Sequence, residues 1–434
     1  MGERGENECP WFAYSSASHA PSLPRSPSPI PHRISMLDRI QALADDHHAD
    51  VVNLRRTIHR NPELALEEHD TAALVADTLN DLGLDVRTGV YETGVLGTLR
   101  GAKPGPTVLL RADIDALPIH EETGLPFASE NDGRMHACGH DMHTASLLGT
   151  AMILTRLRDK VHGSVRFCFQ PSEERIPGGA KFMIEDGVLD ENGSPAVDAV
   201  FGQHVRPDLP AGTVGVRSGM FMASADEVHI TVEGEGGHAG APHELATDAT
   251  YVASQIVSAL QAIASRHAPP EVPTVLTMGK LVAAGATNVI PERARIEGTF
   301  RTMGEEWRFR AHDLIRRIAT HTAQAHGATA AVDVRTGYPA LYNHEASTSF
   351  VRDAAVNYVG DAHTADLGPW FAGEDFAYFL QECPGAYYAI GVRNEEAGIT
   401  HGLHTPKFTI DEDVLRTGPG MMAYVAWRYG ANAA

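Results

Sequence analysis

The 434-residue sequence predicts an α/β protein. It would have a catalytic domain with a mixed, mostly parallel sheet flanked by helices, and an inserted ferredoxin-like unit of β-α-β-β-α-β order. Three observations carry this. The length exceeds the ~250–300 residues at which one hydrophobic core stops growing, so two domains are the default. Apolar runs such as Val108-Leu109-Leu110 alternate with helically periodic segments, as in a sheet buried on both faces. Near Ser224 the texture changes to strands that alternate apolar and polar.

Residues 1–35 are rich in Pro and Ser and lack the apolar core of a secretory signal. They read as a disordered tail, or as an upstream extension of a frame that begins at Met36. Residues 37–60 have helical periodicity through Leu43, Val51, Leu54 and Ile58, broken by Asn61-Pro62-Glu63. A second helix spans 71–82 and stops at Gly83. Strands follow over 95–100 and 107–111, the second ending in Asp113-Ile114-Asp115-Ala116-Leu117-Pro118. A helix over 144–157 begins just after a Cys-His segment. The strands 164–170 and 199–204 run out into Glu173-Glu174 and His204. Strand ends are where open α/β sheets place their sites, so Asp115, the Glu pair and His204 are expected to converge. Beyond Ser224 come a strand (227–233), a helix (249–266), strands (272–281 and 294–301), a long helix (307–326) and a last strand (329–335). The domains are therefore expected at 36–223 with 339–434, and at 224–338.

With 35 Lys plus Arg against 56 Asp plus Glu, the formal net charge is −21. That argues against nucleic acid or an anionic membrane surface as partner. No apolar run is long enough to span a membrane. Four cysteines (Cys9, Cys138, Cys168, Cys383) are too few for a disulfide framework in a chain this long. A cytoplasmic location is expected.

Two segments carry the chemistry: His136-Ala137-Cys138-Gly139-His140-Asp141-Met142-His143 and Gln170-Pro171-Ser172-Glu173-Glu174. On an extended loop Cys138 and His140 would point the same way and suit a divalent metal, with Asp141 and His143 as supporting partners. A buried Cys beside a loop His is the alternative. The consecutive Glu173 and Glu174 are expected to diverge, one to a metal and one to its water, as metal-assisted hydrolysis requires. His204 and His404, in a loop before Pro406, gain weight by completing the set. Gly234-Glu235-Gly236 opens a weak dinucleotide pattern, rejected because Pro242 interrupts the helix it needs. That loop instead offers His238 to an anion, and Asn288 and Arg301 are further candidates. The sequence has no G-x-S-x-G elbow, no H-E-x-x-H helix and no G-x-x-x-x-G-K-[ST] loop.

From Asn61-Pro62-Glu63-Leu64 to Leu403-His404-Thr405-Pro406 the chain resembles the metal-dependent N-acyl-amino-acid amidohydrolases. These include hippurate hydrolases, auxin-conjugate hydrolases and N-acetyl-diaminopimelate deacetylases, relatives of aminoacylases and dimetal carboxypeptidases. Arg111-Ala112-Asp113-Ile114-Asp115-Ala116-Leu117-Pro118, the Cys-His block and Gly373-Glu374-Asp375-Phe376 carry the resemblance. It implies hydrolysis of the amide of N-acyl amino acids, or alternatively carboxypeptidase or dipeptidase action on small peptides; a non-catalytic binding protein of the same fold is the weaker reading, because no expected ligand or base is missing. It implies Cys138, His140, Glu174, His204 and His404 as ligands of two divalent ions (Zn, Mn, Co or Ni), and Glu173 as general base. Asp115, in preference to Asp113, would orient a ligand or tune the metal. The inserted domain would act as lid and dimer contact. His238, from a partner subunit or its own, and Asn288, Arg301 and Gly373 would meet the substrate. The stretch Gln203-His204-Val205-Arg206 departs from the commoner Leu-His, which bears on local substrate contacts.

Overall fold

The computed structural model describes residues 34–191, 193–242 and 247–432. The Pro/Ser-rich stretch through residue 33, Cys9 and His243 lie outside the described residues. The described residues begin with α1 (Met36–Arg60) and α2 (His69–Asp81). The main sheet then takes β1 (Asp85–Val90), β2 (Gly94–Arg100), β3 (Lys103–Asp113), β4 (His162–Gln170), β5 (Ala199–Pro210) and β6 (Val214–Val216). A second sheet comprises β7 (Asp226–Glu233), β8 (Thr274–Val282), β9 (Arg293–Thr302) and β10 (Thr329–Thr336). The chain then returns to the main sheet through β11 (Thr364–Asp366) and β12 (Gly385–Arg393).

The eight main strands lie in the order β1-β2-β4-β3-β5-β12-β6-β11. The pairs β4/β3, β3/β5, β5/β12 and β6/β11 are parallel, and the others are antiparallel. Burial alternates along each central strand. Val108, Leu110, Phe167, Phe169 and Phe201 enter one core with the helices α1, α3 (His140–Arg156) and α6 (Val414–Asn432). Leu109, Cys168 and Val200 enter a second core on the opposite face. Two buried faces are why these strands read as continuous apolar runs. From β3 the chain crosses by α3 to β4 on one side, and β5 lies on the other side of β3. The site opens at this reversal of strand order.

The second sheet has the order β8-β9-β7-β10, all antiparallel. It buries one face against α4 (Ala249–Leu260) and α5 (Glu305–Ala325), through Val228, Ile230, Val232, Ile296 and Phe300. Asp248 caps α4, accepting the backbone N–H groups of Thr250 at 2.8 Å and Tyr251 at 3.1 Å. Buried Asp226 ties β7 to α5, with Arg308 at 2.5 Å and His312 at 2.7 Å. Strand β8 has its second side unpaired and leaves Val275, Leu281 and Val282 exposed.

Several expectations need correction. The helix expected from 144 starts at His140, while the helix expected over 249–266 is α-helical to Leu260 and ends in a π-helical turn over Ile263–His267. His204 lies inside β5 rather than at its end, because pairing with β12 carries that strand on to Pro210. The edge strand β1 was not anticipated, since its mostly exposed residues carry no apolar run.

Candidate metal centre

The cluster is built where β3 stops pairing. That strand pairs with β5 through Arg111↔Gly202, so His204, two residues beyond, has lost β3 on one side while still paired with Ala389 of β12 on the other. Cys138 and His140 are brought together by a turn, not by strand-like alternation. Gly139 between them takes φ 85°, and a Cβ there would meet Val205 Cγ2 at 2.6 Å. Cys138 Sγ lies 3.5 Å from His204 Nε2. His140 Nε2 lies 3.9 Å from both Glu173 Oε2 and Glu174 Oε1, so the two glutamates converge on His140 where divergence was expected. His404 Nε2 lies 3.3 Å from Glu174 Oε1. The His404 loop is held against the Cys138 loop by its backbone N–H, which donates to Ala137 O at 2.9 Å. His404 adopts φ 57°, a left-handed conformation costly for a side-chain-bearing residue, and its side chain is half exposed while Cys138, His140 and His204 are buried.

The buried candidates His140, His204 and Glu174 are aimed from behind. His204 Nδ1 donates to Val205 O at 2.8 Å, which turns the Nε2 lone pair toward Cys138. His140 Nδ1 donates to Asp115 O at 2.9 Å, with Asp115 Oδ1 at 3.2 Å. Asp115 Oδ2 accepts the Glu174 backbone N–H at 2.9 Å, so this aspartate positions two ligand candidates at once. Asp113 is also engaged: its Oδ2 lies 3.8 Å from His140 Nε2 and 2.6 Å from an Arg111 amine. His143 donates to Asp113 Oδ1 at 2.6 Å and accepts the Val205 N–H at 3.0 Å, so both its nitrogens are spent away from the cluster. Asp141 turns away as well, toward Arg55 at 2.9 Å and His59 at 2.8 Å.

The donor set fits divalent cations. Among the described residues, His140 Nε2 and Glu174 Oε1 are buried without a hydrogen-bond partner, and both face the cluster. Burial pushes the Cys138 thiol well above its usual range, and the Glu174 and Glu173 charges push it further. Burial also drives Glu173 up, with Glu374 and Glu174 adding repulsion. Burial holds His204 well below its ordinary value, so it is a neutral imidazole with a free lone pair. A sulfur, three imidazoles and two carboxylates at such spacing form overlapping groups suited to ions.

A cavity of about 480 Å³ opens over this cluster, lined by Cys138, Glu173, Glu174, His204 and His404 together with Arg301 and Gly373. Arg301 comes from β9, and one of its guanidinium nitrogens is buried without a partner. Gly373 leaves it room, since a Cβ there would stand 3.1 Å from that nitrogen. His238 and Asn288 are exposed beside each other, with Ala239 N donating to Asn288 O at 3.1 Å, and neither lines this cavity.

Sequence reasoning missed several residues. Glu68, fully buried, accepts the Ser172 N–H at 2.9 Å and the Thr93 hydroxyl at 2.6 Å. It thereby holds Ser172 at φ 58°, just ahead of the Glu pair. Burial, then the nearby Asp115 charge, raises Glu68 to about 7. Tyr338 donates its hydroxyl to the Glu173 carbonyl. Trp370 and Phe371 form part of the cavity wall. The run Pro369-Trp370-Phe371 just ahead of Gly373-Glu374 was the available signal for those two.

Comparison with known proteins places the chain in a family. Residues 109–428 match the peptidase family M20/M25/M40, and the chain belongs to that family. It is 42% identical over 365 residues to an N-acetyl-L-cysteine deacetylase of Bacillus subtilis, covering 84% of each chain. It is 41% identical over 383 residues to thermostable carboxypeptidase 1 of Saccharolobus solfataricus, covering 87% of this chain and 95% of that one. Among solved structures it superposes with a TM-score of 0.76 on the YXEP protein of Bacillus subtilis, described as a dinuclear metal binding peptidase of the M20 family. Identity there is 36%, with 89% of this chain and 99% of that one covered. The chain is a metal-binding hydrolase that acts on amide bonds.

Proposed function

We propose that this protein hydrolyses the amide bond of N-acyl amino acids, releasing a carboxylic acid and a free amino acid. The observation that carries the reading is Arg301 reaching the same cavity as Glu173 and the ligand candidates, one guanidinium nitrogen unpartnered. A guanidinium there suits a free carboxylate beside the scissile amide.

Cys138, His140, Glu174, His204 and His404 would hold two divalent ions (zinc, manganese, cobalt or nickel). When bound, such ions polarise a carbonyl and acidify water. Glu173, next to the cluster and held through its own backbone carbonyl by Tyr338, takes the proton of the attacking water and returns it to the leaving amine. Arg301 grips the substrate carboxylate, with Gly373 leaving space for it. Residues 224–338 act as lid and dimer contact. His238 and Asn288 then serve a substrate held by a second copy of the chain, His238 toward the developing oxyanion. Three unpaired thiols among the described residues suit a reducing cytoplasm, and no described helix is long and apolar enough to cross a membrane.

Carboxypeptidase action on small peptides is the second reading, favoured by the Saccharolobus relative. Both are tested by stripping the protein with a chelator, reloading it in turn with the four metals, and measuring amino acid release from N-acyl amino acids and dipeptides. The expected result is loss of rate on stripping, recovery on reloading, and faster turnover of the acyl amino acids. An undiminished rate after exhaustive chelation sinks the metal assignment, and preference for dipeptides reverses the substrate assignment.

A further inference from the structure

Arg206 belongs to the stretch Gln203-His204-Val205-Arg206, where this chain departs from the pattern of the family it resembles. Its guanidinium carbon lies 4.6 Å from the centre of the Trp370 ring. Asp208 fixes the guanidinium in turn, with oxygens 2.6 Å from Nε and 2.5 Å from Nη2. Trp370 lines the cavity and meets the His204 ring edge-to-face at 5.5 Å between centroids. Its backbone is fixed too, its N–H donating to Phe221 O at 2.8 Å and its carbonyl accepting Ala223 N–H at 3.2 Å. The wall beside it is apolar: Phe371, Met222, Leu403 and Ile176 line the same cavity. Arg301 and Gly373 line it as well, and among these lining residues Arg301 is the one that carries a positive charge.

From this we infer that Trp370, held in place by Arg206, is the specificity-determining wall for the acyl group, and that it favours flat, bulky acyl groups over acetyl. The inference rests on the amidohydrolase reading above. With the substrate carboxylate at Arg301 and the amide at Glu173, the acyl group is left to the apolar wall. An acetyl methyl covers little of an indole, whereas a planar ring stacks on it or packs edge-on. Cation–π attraction is strongest for tryptophan and favours Arg, so the clamp holds the indole in one orientation before substrate arrives. Arg206 is a positioning residue: it acts through Trp370.

The test compares kcat/KM for N-benzoyl and N-acetyl forms of the same amino acid on the metal-loaded enzyme and its variants. In Trp370→Ala the benzoyl-to-acetyl ratio is expected to fall about tenfold or more, chiefly through KM for the benzoyl substrate. Arg206→Ala should lower the ratio in the same direction by about threefold, and Arg206→Lys, which keeps the cation, should restore most of it. Trp370→Leu, which keeps bulk without the ring, serves if the alanine variant does not fold, and a fall in its ratio is likewise expected. The inference is overturned if the ratio stays within about twofold in the Trp370 variants, or if both substrates lose equally in kcat, as a merely structural role predicts. A wild-type enzyme that cleaves neither substrate defeats the underlying reading instead, and this inference with it.

Discussion

In the eight-stranded sheet region, His140, His204 and Glu174 of the candidate cluster are each held from behind by another group. The region of the four-stranded sheet offers its candidates differently: Arg301 from the sheet itself, and His238 and Asn288 from a small two-stranded pair and its loop. Asp115 holds His140 and Glu174, Val205 O holds His204, and Glu68 holds the turn before Glu173. By contrast, His238 and Asn288 stand exposed, and of the three candidates on the second layer only Arg301 reaches the cavity. The difference teaches where precision comes from. A ligand set needs tight geometry, and a sheet packed on both faces supplies it, because each supporting side chain is itself locked by packing. The second sheet contributes one charge to the cavity, Arg301, while His238 and Asn288 stay at the surface.

The largest effect is expected at Glu173. Glu173→Gln should lower kcat by about 10²–10⁴-fold while metal content stays near wild type, measured by turnover and by elemental analysis of the same sample. Retention of near-full rate would remove the base assignment and with it the claim that the buried cluster does the chemistry.

The second layer has its own buried anchor, and breaking it tests whether that layer is stable independently of the first. Burial pushes the Asp226 carboxyl up, but hydrogen bonds from Arg308 and His312 and the Arg308 charge outweigh it, so its pKa is lowered. A depressed carboxylate contributes stability that is present above its unfolded pKa of about 3.9 and is lost as pH falls through the folded value. Asp226→Asn should cost about 3–5 kcal/mol at neutral pH and flatten the acid limb of the stability curve, read by denaturant unfolding at several pH values. An unchanged curve would mean that this ion pair does not hold β7 to α5.

Asp115→Asn sharpens the comparison from the other side. Losing its grip on His140 should weaken metal affinity by about 10–100-fold, seen in competition with a chromogenic chelator. Arg301→Ala should raise KM by about tenfold or more with a smaller change in kcat, since a charge-assisted contact to a carboxylate is lost. If kcat collapsed instead and KM held, Arg301 would belong to the chemistry and not to binding.

The smallest effect concerns Gln203, fully buried in β5 with both amide atoms lacking partners among the described residues. Replacing an unsatisfied buried amide by an apolar side chain of similar size should stabilise the fold by about 1 kcal/mol, raising Tm in Gln203→Leu. A lower Tm would show that the amide is satisfied by bound water.

Much of the candidate site was legible because its residues are chemically distinctive and stand beside elements that announce themselves: Glu173, Glu174 and His204 by apolar strands, and Cys138 and His140 just ahead of a strong helix. How they meet was less legible. Alternation along an extended loop suggested that Cys138 and His140 point together, but a left-handed Gly139 and an early helix start bring them into register. Consecutive glutamates suggested divergence, but the turn begun at Ser172 folds both toward His140. Trp370, Arg206 and Glu68 carry no motif, since their roles come from contacts between segments far apart in the chain.

By itself the sequence determined the α/β class, most of the strand-helix order between residues 95 and 335 and the chemical inventory of the site, because periodicity and residue type are local properties. Tertiary structure alone decided which side chains share a cavity. It placed Arg301 inside and His238 outside, and it stacked Arg206 on Trp370. The physical reason is that such proximity depends on strand order and on the packing of two sheets, and neither is written in any single stretch of chain.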